Sequence, residues 1–240
     1  MKKPSSQLTP RDRDILKFIH RHRLGTDDII RHALFPDVQQ NRPVRKVMRR
    51  LVRQKYLREH SPAAGAFYYI LAPRGARALG EKPREPRPFS EQSLPGALAI
   101  AAFCAVTKTQ RFTAQEFVTK YPCFCRKGLR SSGYFIEQTE RGLMIGFFIT
   151  DRATKRRKML SKIRKVIHAR YRMHKFAELM QAGRFMILIL TGHDAKKQEL
   201  DRAIARRHRG PVQVRVEVVP ELGTLLTRLQ RDEAARREHP

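Results

Sequence analysis

The segment NRPVRKVMRRLVRQK, residues 41–55, decides how the N-terminal part of this chain folds. Its apolar residues recur at the spacing of one helix face and, at about 100° per residue, cover an arc of roughly 140°. They are Val44, Val47, Met48, Leu51 and Val52. The opposite arc carries six cations with no acid among them: Arg42, Arg45, Lys46, Arg49, Arg50 and Arg53. The pattern predicts a helix that begins near residues 41–43, ends near Lys55, buries one face and offers a cationic face to solvent.

That cationic face favours DNA as a ligand. A helix fits the major groove, where arginine binds phosphates or the O6/N7 edge of guanine. The alternative is an ordinary solvated face, but such faces normally mix charges of both signs. We therefore expect the six cations of this helix to contact double-stranded DNA.

The flanking sequence predicts a winged helix-turn-helix over residues 1–80. Thr9–Asp12 is typical of a helix start, and Gly25 followed by Thr26–Asp28 separates the first helix from a second. After the third helix, two β-type runs surround the turn residues Ser61–Gly65, in the position of a wing, and a short closing helix begins at Pro73. In the second run, Tyr68 and Tyr69 could stack on bases, although burial is the more ordinary role.

A proline-rich segment, residues 81–95, is predicted to link this domain to a second one. Residues 96–230 read as an α/β domain, and residues 231–240 as a charged tail. The second domain begins with a buried helix over 95–107, and its strands are expected at 133–138, 143–150, 185–191 and 212–219. A long helix from about Ala153 and helices over 195–207 and 222–229 complete a central mixed sheet with helices.

The long helix carries a second basic cluster. The stretch Arg152–Arg172 contains ten Lys or Arg residues and no acid, and its densest part is Lys155, Arg156, Arg157 and Lys158. Nothing in the cluster is typical of base recognition, so we expect it to neutralise phosphates without regard to sequence. The alternatives are a solvated helix face and a docking surface for an acidic protein.

The overall composition supports a nucleic-acid partner. The chain has 51 Lys and Arg against 22 Asp and Glu, a net charge of +29, which attracts polyanions. A basic membrane-surface protein is the rival class, but no apolar run approaches the roughly 20 residues of a membrane span. Three cysteines and no secretory signal favour the reducing cytoplasm over a disulfide framework. Cys104, Cys123 and Cys125 lack the partners of a zinc site, so no metal or cofactor is expected.

Three segments of the N-terminal domain resemble the winged helix of the replication-relaxation family. They are LTPRDRDILKFIHRHRL at 8–24, VRKVMRRLVRQKYL at 44–57 and YYILAPRGARAL at 68–79. Members of that family are encoded by plasmids and integrative conjugative elements. The resemblance implies a role in the replication and DNA relaxation of such an element.

The same resemblance implies a C-terminal fold similar to the restriction endonucleases, whose Asp and Glu-x-Lys motifs hold Mg²⁺ and support the attacking water. Here Ser131 and Ser132 stand where the family often has Pro-Asp, and Ile149 and Asp151 stand at the Glu and Lys positions. Such a set cannot assemble a divalent metal site, although Glu137, Glu140 and Asp151 could still cluster. The C-terminal domain is therefore expected to be a degenerate, inactive nuclease-like fold.

Together these observations predict a non-enzymatic, cytoplasmic double-stranded DNA-binding protein of plasmid or mobile-element replication or mobilisation. Replication or relaxase proteins are candidate partners, no membrane partner is expected, and a homodimer is left open. The alternatives are a winged-helix transcriptional regulator, an RNA-binding protein and a divergent metal-dependent nuclease.

Overall fold

The computed structural model describes residues 8–63, 66–83, 85, 87–139 and 142–238. Over these residues the chain is mixed α/β, with ten α-helices and two sheets, which confirms the expected class. The chain divides into two compact units. Unit 1 runs to Lys108 and includes the C-terminal segment from Arg231, and unit 2 is Thr109–Gln230. None of the described helices combines the length and the apolarity needed to cross a bilayer.

Unit 1 consists of helices packed on a two-stranded hairpin. Its elements are α1 (Pro10–His22), α2 (Asp27–Leu34), α3 (Asn41–Arg53), β1 (Leu57–Ala63), β2 (Ala66–Leu71), α4 (Pro73–Ala78) and α5 (Leu94–Thr107). The Thr9 hydroxyl accepts the Asp12 amide and the Asp12 carboxylate accepts the Thr9 amide, which fixes the start of α1. The apolar face of α3 joins α1 and the hairpin in one core, in which Val44, Met48 and Leu51 are fully buried.

The hairpin is antiparallel and also pairs with the segment between α1 and α2. The amides of Gly25 and Tyr69 each donate to the other residue's carbonyl, at 3.0 and 2.8 Å. Tyr68 and Tyr69 are both buried, with 2% and 3% of their surface exposed, so neither is available to stack on a base. The expected turn residues Ala64 and Gly65 lie outside the described residues.

The expected linker is fastened to the hairpin at Phe89. The Phe89 amide donates to the Tyr68 hydroxyl at 2.9 Å, and the Arg23 guanidinium lies 4.9 Å from the Phe89 ring centroid. An ion pair between Arg58 and Glu85 adds a second attachment. These contacts hold the described part of the proline-rich segment against unit 1.

Helix α5 belongs to unit 1, although it was expected at the start of the second domain. It packs against α2 and α1. The Lys108 ammonium, just beyond its end, donates to the His32 and Ala33 carbonyls at the C-terminal end of α2, at 2.8 and 3.0 Å. Because α5 is apolar on all sides, its sequence showed that it is buried but not against which unit.

Unit 2 is built on a five-stranded mixed sheet in the order β3-β4-β5-β6-β7. Its strands are β3 (Gln110–Arg111), β4 (Tyr134–Thr139), β5 (Gly142–Thr150), β6 (Phe185–Thr191) and β7 (Gln213–Val218). Pairing is antiparallel from β3 to β5 and parallel from β5 to β7. The expected mixed sheet is thus confirmed, and the short edge strand β3 is an addition to it.

The helices of unit 2 are α6 (Ala114–Lys120), α7 (Arg156–Tyr171), α8 (His174–Gln181), α9 (Asp194–Arg207) and α10 (Pro220–Glu238), with a 3-10 turn at Pro122–Phe124. The long helix expected from about Ala153 is α7, and the sequence did not predict α8, which begins after the extended backbone of Met173. Helix α10 leaves unit 2 and remains helical to Glu238, through most of the expected charged tail.

Candidate nucleic-acid interface

The start of α3 is fixed to α2 by polar side chains. Asn41 accepts from Arg31 Nε at 2.9 Å and donates to an Asp28 carboxylate oxygen at 2.6 Å. One turn further on, Arg45 Nε donates to Asp27 at 2.8 Å, and this contact raises the pKa of Arg45. These bonds hold α3 at a fixed angle to α2.

Asp27 also faces the hairpin. Burial, followed by the nearby Asp27 and Glu59 carboxylates, raises the pKa of Tyr69 far above its ordinary value of about 10. The Tyr69 phenol therefore stays neutral beside these two carboxylates. Asp27 therefore interacts with Arg45 of α3 and also lies near Tyr69 of β2.

Arg50 pairs with a buried acid of unit 1. Its guanidinium donates to the carboxylate of Asp12, which is only 1% exposed, while Arg50 keeps 36% of its side chain exposed. The same carboxylate caps α1 through the Thr9 amide at 3.0 Å. The pair therefore ties α3 to the start of α1, and Arg50 has a structural partner that the α3 sequence alone could not reveal.

The other four cations of α3 form a stripe along the middle of its exposed face. Arg42, Lys46, Arg49 and Arg53 are exposed, and within the part of the chain that the structure describes no acid pairs with them. At about 100° per residue they fall within an arc of roughly 60°, and Arg45 and Arg50 lie about 40° outside its two edges. We call these four residues the α3 stripe. The six predicted cations thus divide into two that orient the helix and four that face outward.

The position of the stripe opposes helix stability. The first turn of α3 contains Arg42 and no acid, although the positive end of the helix dipole favours an acid there. Like charges one turn apart also repel each other. Neither effect stabilises the fold, and an external anion bound to the stripe would lower the energy of these cations.

The basic cluster of unit 2 lies at the start of α7. Lys155 is the N-cap, Arg156, Arg157 and Lys158 form the first turn, and all four side chains are exposed. No acid lies in that turn, so the same argument from the helix dipole applies. All four predicted residues are therefore available to an anion.

One of the ten cations in the Arg152–Arg172 stretch is buried instead. Arg170 is 2% exposed, donates from Nε to the Tyr134 hydroxyl at 2.9 Å, and lies 3.9 Å from the Phe147 ring centroid. Burial lowers its pKa. Arg170 stabilises the aromatic core of unit 2 and does not belong to the basic surface.

The expected acidic residues of unit 2 are engaged separately. Glu137 forms a bidentate pair with Arg215 at 2.9 and 3.1 Å, and the buried Asp151 accepts the Thr154 amide at 2.8 Å. Glu140 lies outside the described residues. Among the residues described, no three His, Cys, Asp or Glu side chains come together in a way that could hold a metal ion.

Fold and surface together define a basic mixed α/β protein that presents an outward cationic helix stripe. Residues 16–123 match the model of the replication-relaxation family, the same family that the sequence resembles. The match runs from within α1 to the 3-10 turn and so includes α5. No curated protein and no solved structure matches the chain significantly.

Proposed function

We propose that unit 1 is a winged helix-turn-helix that binds double-stranded DNA through the α3 stripe. The supporting observation is the stripe itself, with Arg42, Lys46, Arg49 and Arg53 exposed and without a pairing acid among the described residues. The order of three helices and a hairpin, with the bridge between Gly25 and Tyr69, suits this module. In such modules the recognition helix lies in the major groove, with its N-terminal residues at the base edges.

The biological setting that we propose is the replication or mobilisation of a plasmid or conjugative element. The family match supports this setting. Sequencing the DNA that is bound by the protein in its native host tests the proposal. Enrichment of a replication or transfer origin supports it, and enrichment of promoters alone would instead indicate a transcriptional regulator.

The binding mode is tested by the double variant Lys46→Ala, Arg49→Ala. The matched control is Arg13→Ala, Arg77→Ala, which removes two exposed unit 1 cations outside α3. Loss of a base-reading contact costs about 1–3 kcal/mol, and each lost phosphate contact lowers the magnitude of the log–log salt slope by about 0.9. Fluorescence anisotropy with duplex DNA should show a clear loss for the α3 variant and a smaller one for the control. Equal effects would refute docking through α3.

We further propose that unit 2 contributes affinity for the DNA backbone and is not a nuclease. Lys155, Arg156, Arg157 and Lys158 supply the cations for backbone contact. The engagement of Glu137 by Arg215 and of Asp151 by the Thr154 amide supports the absence of a divalent metal site. Incubation of supercoiled plasmid with Mg²⁺ or Mn²⁺ tests the second part, and cleavage that scales with protein concentration would refute it.

A further inference from the structure

A groove between α7 and α9 has walls that are rich in arginine. Its volume is about 460 Å³. One wall is the first turn of α7, with Arg156, and the other is the face of α9 that carries Arg202, Arg206 and Arg207. Arg156 belongs to the basic cluster of α7, whereas the three α9 arginines lie outside it.

The groove has an excess of positive charge that the described part of the chain does not neutralise. Its one acidic lining residue, Glu199, already binds the Lys196 ammonium at 2.7 Å. The four arginines are exposed, and no described acid forms an ion pair with them. Four guanidinium groups that face one concave surface repel one another, and an anion in the groove would relieve that repulsion.

The arrangement suits a repeating anion better than a single one. Arg202 and Arg206 lie one helical turn apart, about 6 Å along the axis, and Arg207 follows at once. Arginine binds phosphate through two parallel N–H groups, which gives each position a strong contact. A row of such positions matches a chain of phosphates.

The floor of the groove argues against a peptide or a stacked base. Its apolar lining consists of Ala195 and Ala203, with no aromatic residue. Peptide grooves usually offer pockets for large apolar anchors, and single-strand sites usually offer aromatic platforms. A phosphate backbone requires neither.

We propose that the α7–α9 groove binds the phosphodiester backbone of DNA independently of base sequence. The choice of ligand rests on the DNA-binding function proposed above, but the residues are distinct from the α3 stripe. The groove extends the basic cluster of α7 onto a second helix.

The test compares two full-length triple variants that remove the same charge. The groove variant is Arg202→Gln, Arg206→Gln, Arg207→Gln. The control variant is Lys120→Gln, Arg126→Gln, Lys127→Gln, which changes exposed cations of unit 2 outside both the groove lining and the Arg152–Arg172 stretch. Circular dichroism checks that both variants are folded, and anisotropy titrations over a range of salt concentrations use a labelled mixed-sequence duplex and its single strand.

The groove variant should lose about 0.9 in salt slope per phosphate contact on the duplex, or about 0.7 on the single strand. The salt slope is compared between the duplex and the single-stranded DNA. The DNA on which the groove variant loses more salt slope is the form that the groove binds. Sequence preference should not change. The proposal would be overturned if the groove variant and the control variant bound both DNAs equally well. It would also be overturned if the groove variant lost binding to polyglutamate while its DNA binding stayed unchanged, because that result would identify a site for an acidic protein.

The α3 double variant in the same titration separates this proposal from the proposed function. Loss of DNA affinity in the groove variant but not in the Lys46→Ala, Arg49→Ala variant would refute α3 docking and keep the groove. The reverse result would refute the groove alone.

Discussion

Arg49 and Arg50 are neighbours on α3 that should respond to the same substitution in opposite ways. Arg49 belongs to the α3 stripe, whereas Arg50 binds the buried carboxylate of Asp12. Arg50→Ala leaves that carboxylate with the Thr9 amide and no cation. An unsatisfied buried acceptor costs about 1–3 kcal/mol, and more when it is charged. Because Arg50 is one-third exposed, water can reach part of the gap, and we expect a loss of about 1–3 kcal/mol in the free energy of unfolding.

Arg49→Ala removes an exposed side chain with no described partner, so its effect on the free energy of unfolding should stay within about 0.5 kcal/mol. At about 2–4 °C per kcal/mol, the Arg50→Ala variant should unfold roughly 2–12 °C below wild type, while Arg49→Ala should match wild type. Duplex binding should show the opposite order once both variants are assayed well below their unfolding temperatures.

Thermal unfolding followed by circular dichroism and anisotropy with duplex DNA measure the two effects on the same samples. Both variants lose one positive charge, so the comparison cancels any effect of net charge. The division of α3 into orienting and outward cations would be refuted if the two variants lost equal stability, or if Arg50→Ala weakened binding more than Arg49→Ala did.

Four further predictions concern other parts of the chain. A variant with Gln at all four positions 155–158 should have a duplex salt slope that is smaller in magnitude, by up to about 0.9 for each residue that contacts a phosphate. An unchanged slope in anisotropy titrations would show that this cluster does not belong to the interface. Gly146→Ala would place a Cβ only 2.0 Å from Phe135 Cζ, and such overpacking should cost about 1–3 kcal/mol in urea unfolding, with an unchanged midpoint as the contrary result. Burial, and secondarily Arg58, lowers the pKa of His60, so the unfolded chain takes up a proton first as pH falls below about 6.5. Stability should therefore decrease from there toward lower pH, and His60→Gln should flatten that decrease; an identical pH dependence in the variant would contradict the argument. Plasmid incubated with Mg²⁺ and the protein should remain supercoiled on an agarose gel, and protein-dependent nicking would show that unit 2 is active.

Local patterns in the sequence were sufficient to predict most elements. The fully apolar run at Phe185–Thr191 became β6 with the expected bounds, because a strand buried on both faces needs no alternation. The apolar and basic faces of α3 were also predicted correctly, since both follow from helical periodicity alone. The outward position of the cluster at 155–158 follows in the same way from charge density at a helix start.

Features that depend on distant residues could not be predicted in this way. The partners of Arg45 and Arg50 are Asp27 on α2 and Asp12 on α1, and neither lies near α3 in the sequence. Helix α8 was not predicted, and the boundary at Met173 that separates it from α7 has no proline or glycine to signal it. The burial of Arg170 depends on aromatic residues of β4, β5 and α8.

The position of α5 in the sequence affects how unit 1 folds during translation. Chains emerge from the ribosome N-terminus first, and domains generally fold as units. When α4 has emerged at Ala78, the surface of α2 that packs against α5 has no cover, and α5 itself is complete only at Thr107. Throughout this interval the nascent chain exposes apolar surface, the condition that favours aggregation or capture by chaperones. A fragment that ends near residue 80 would keep this state permanently, whereas one that extends to Lys108 contains both partner helices and the lysine that caps α2.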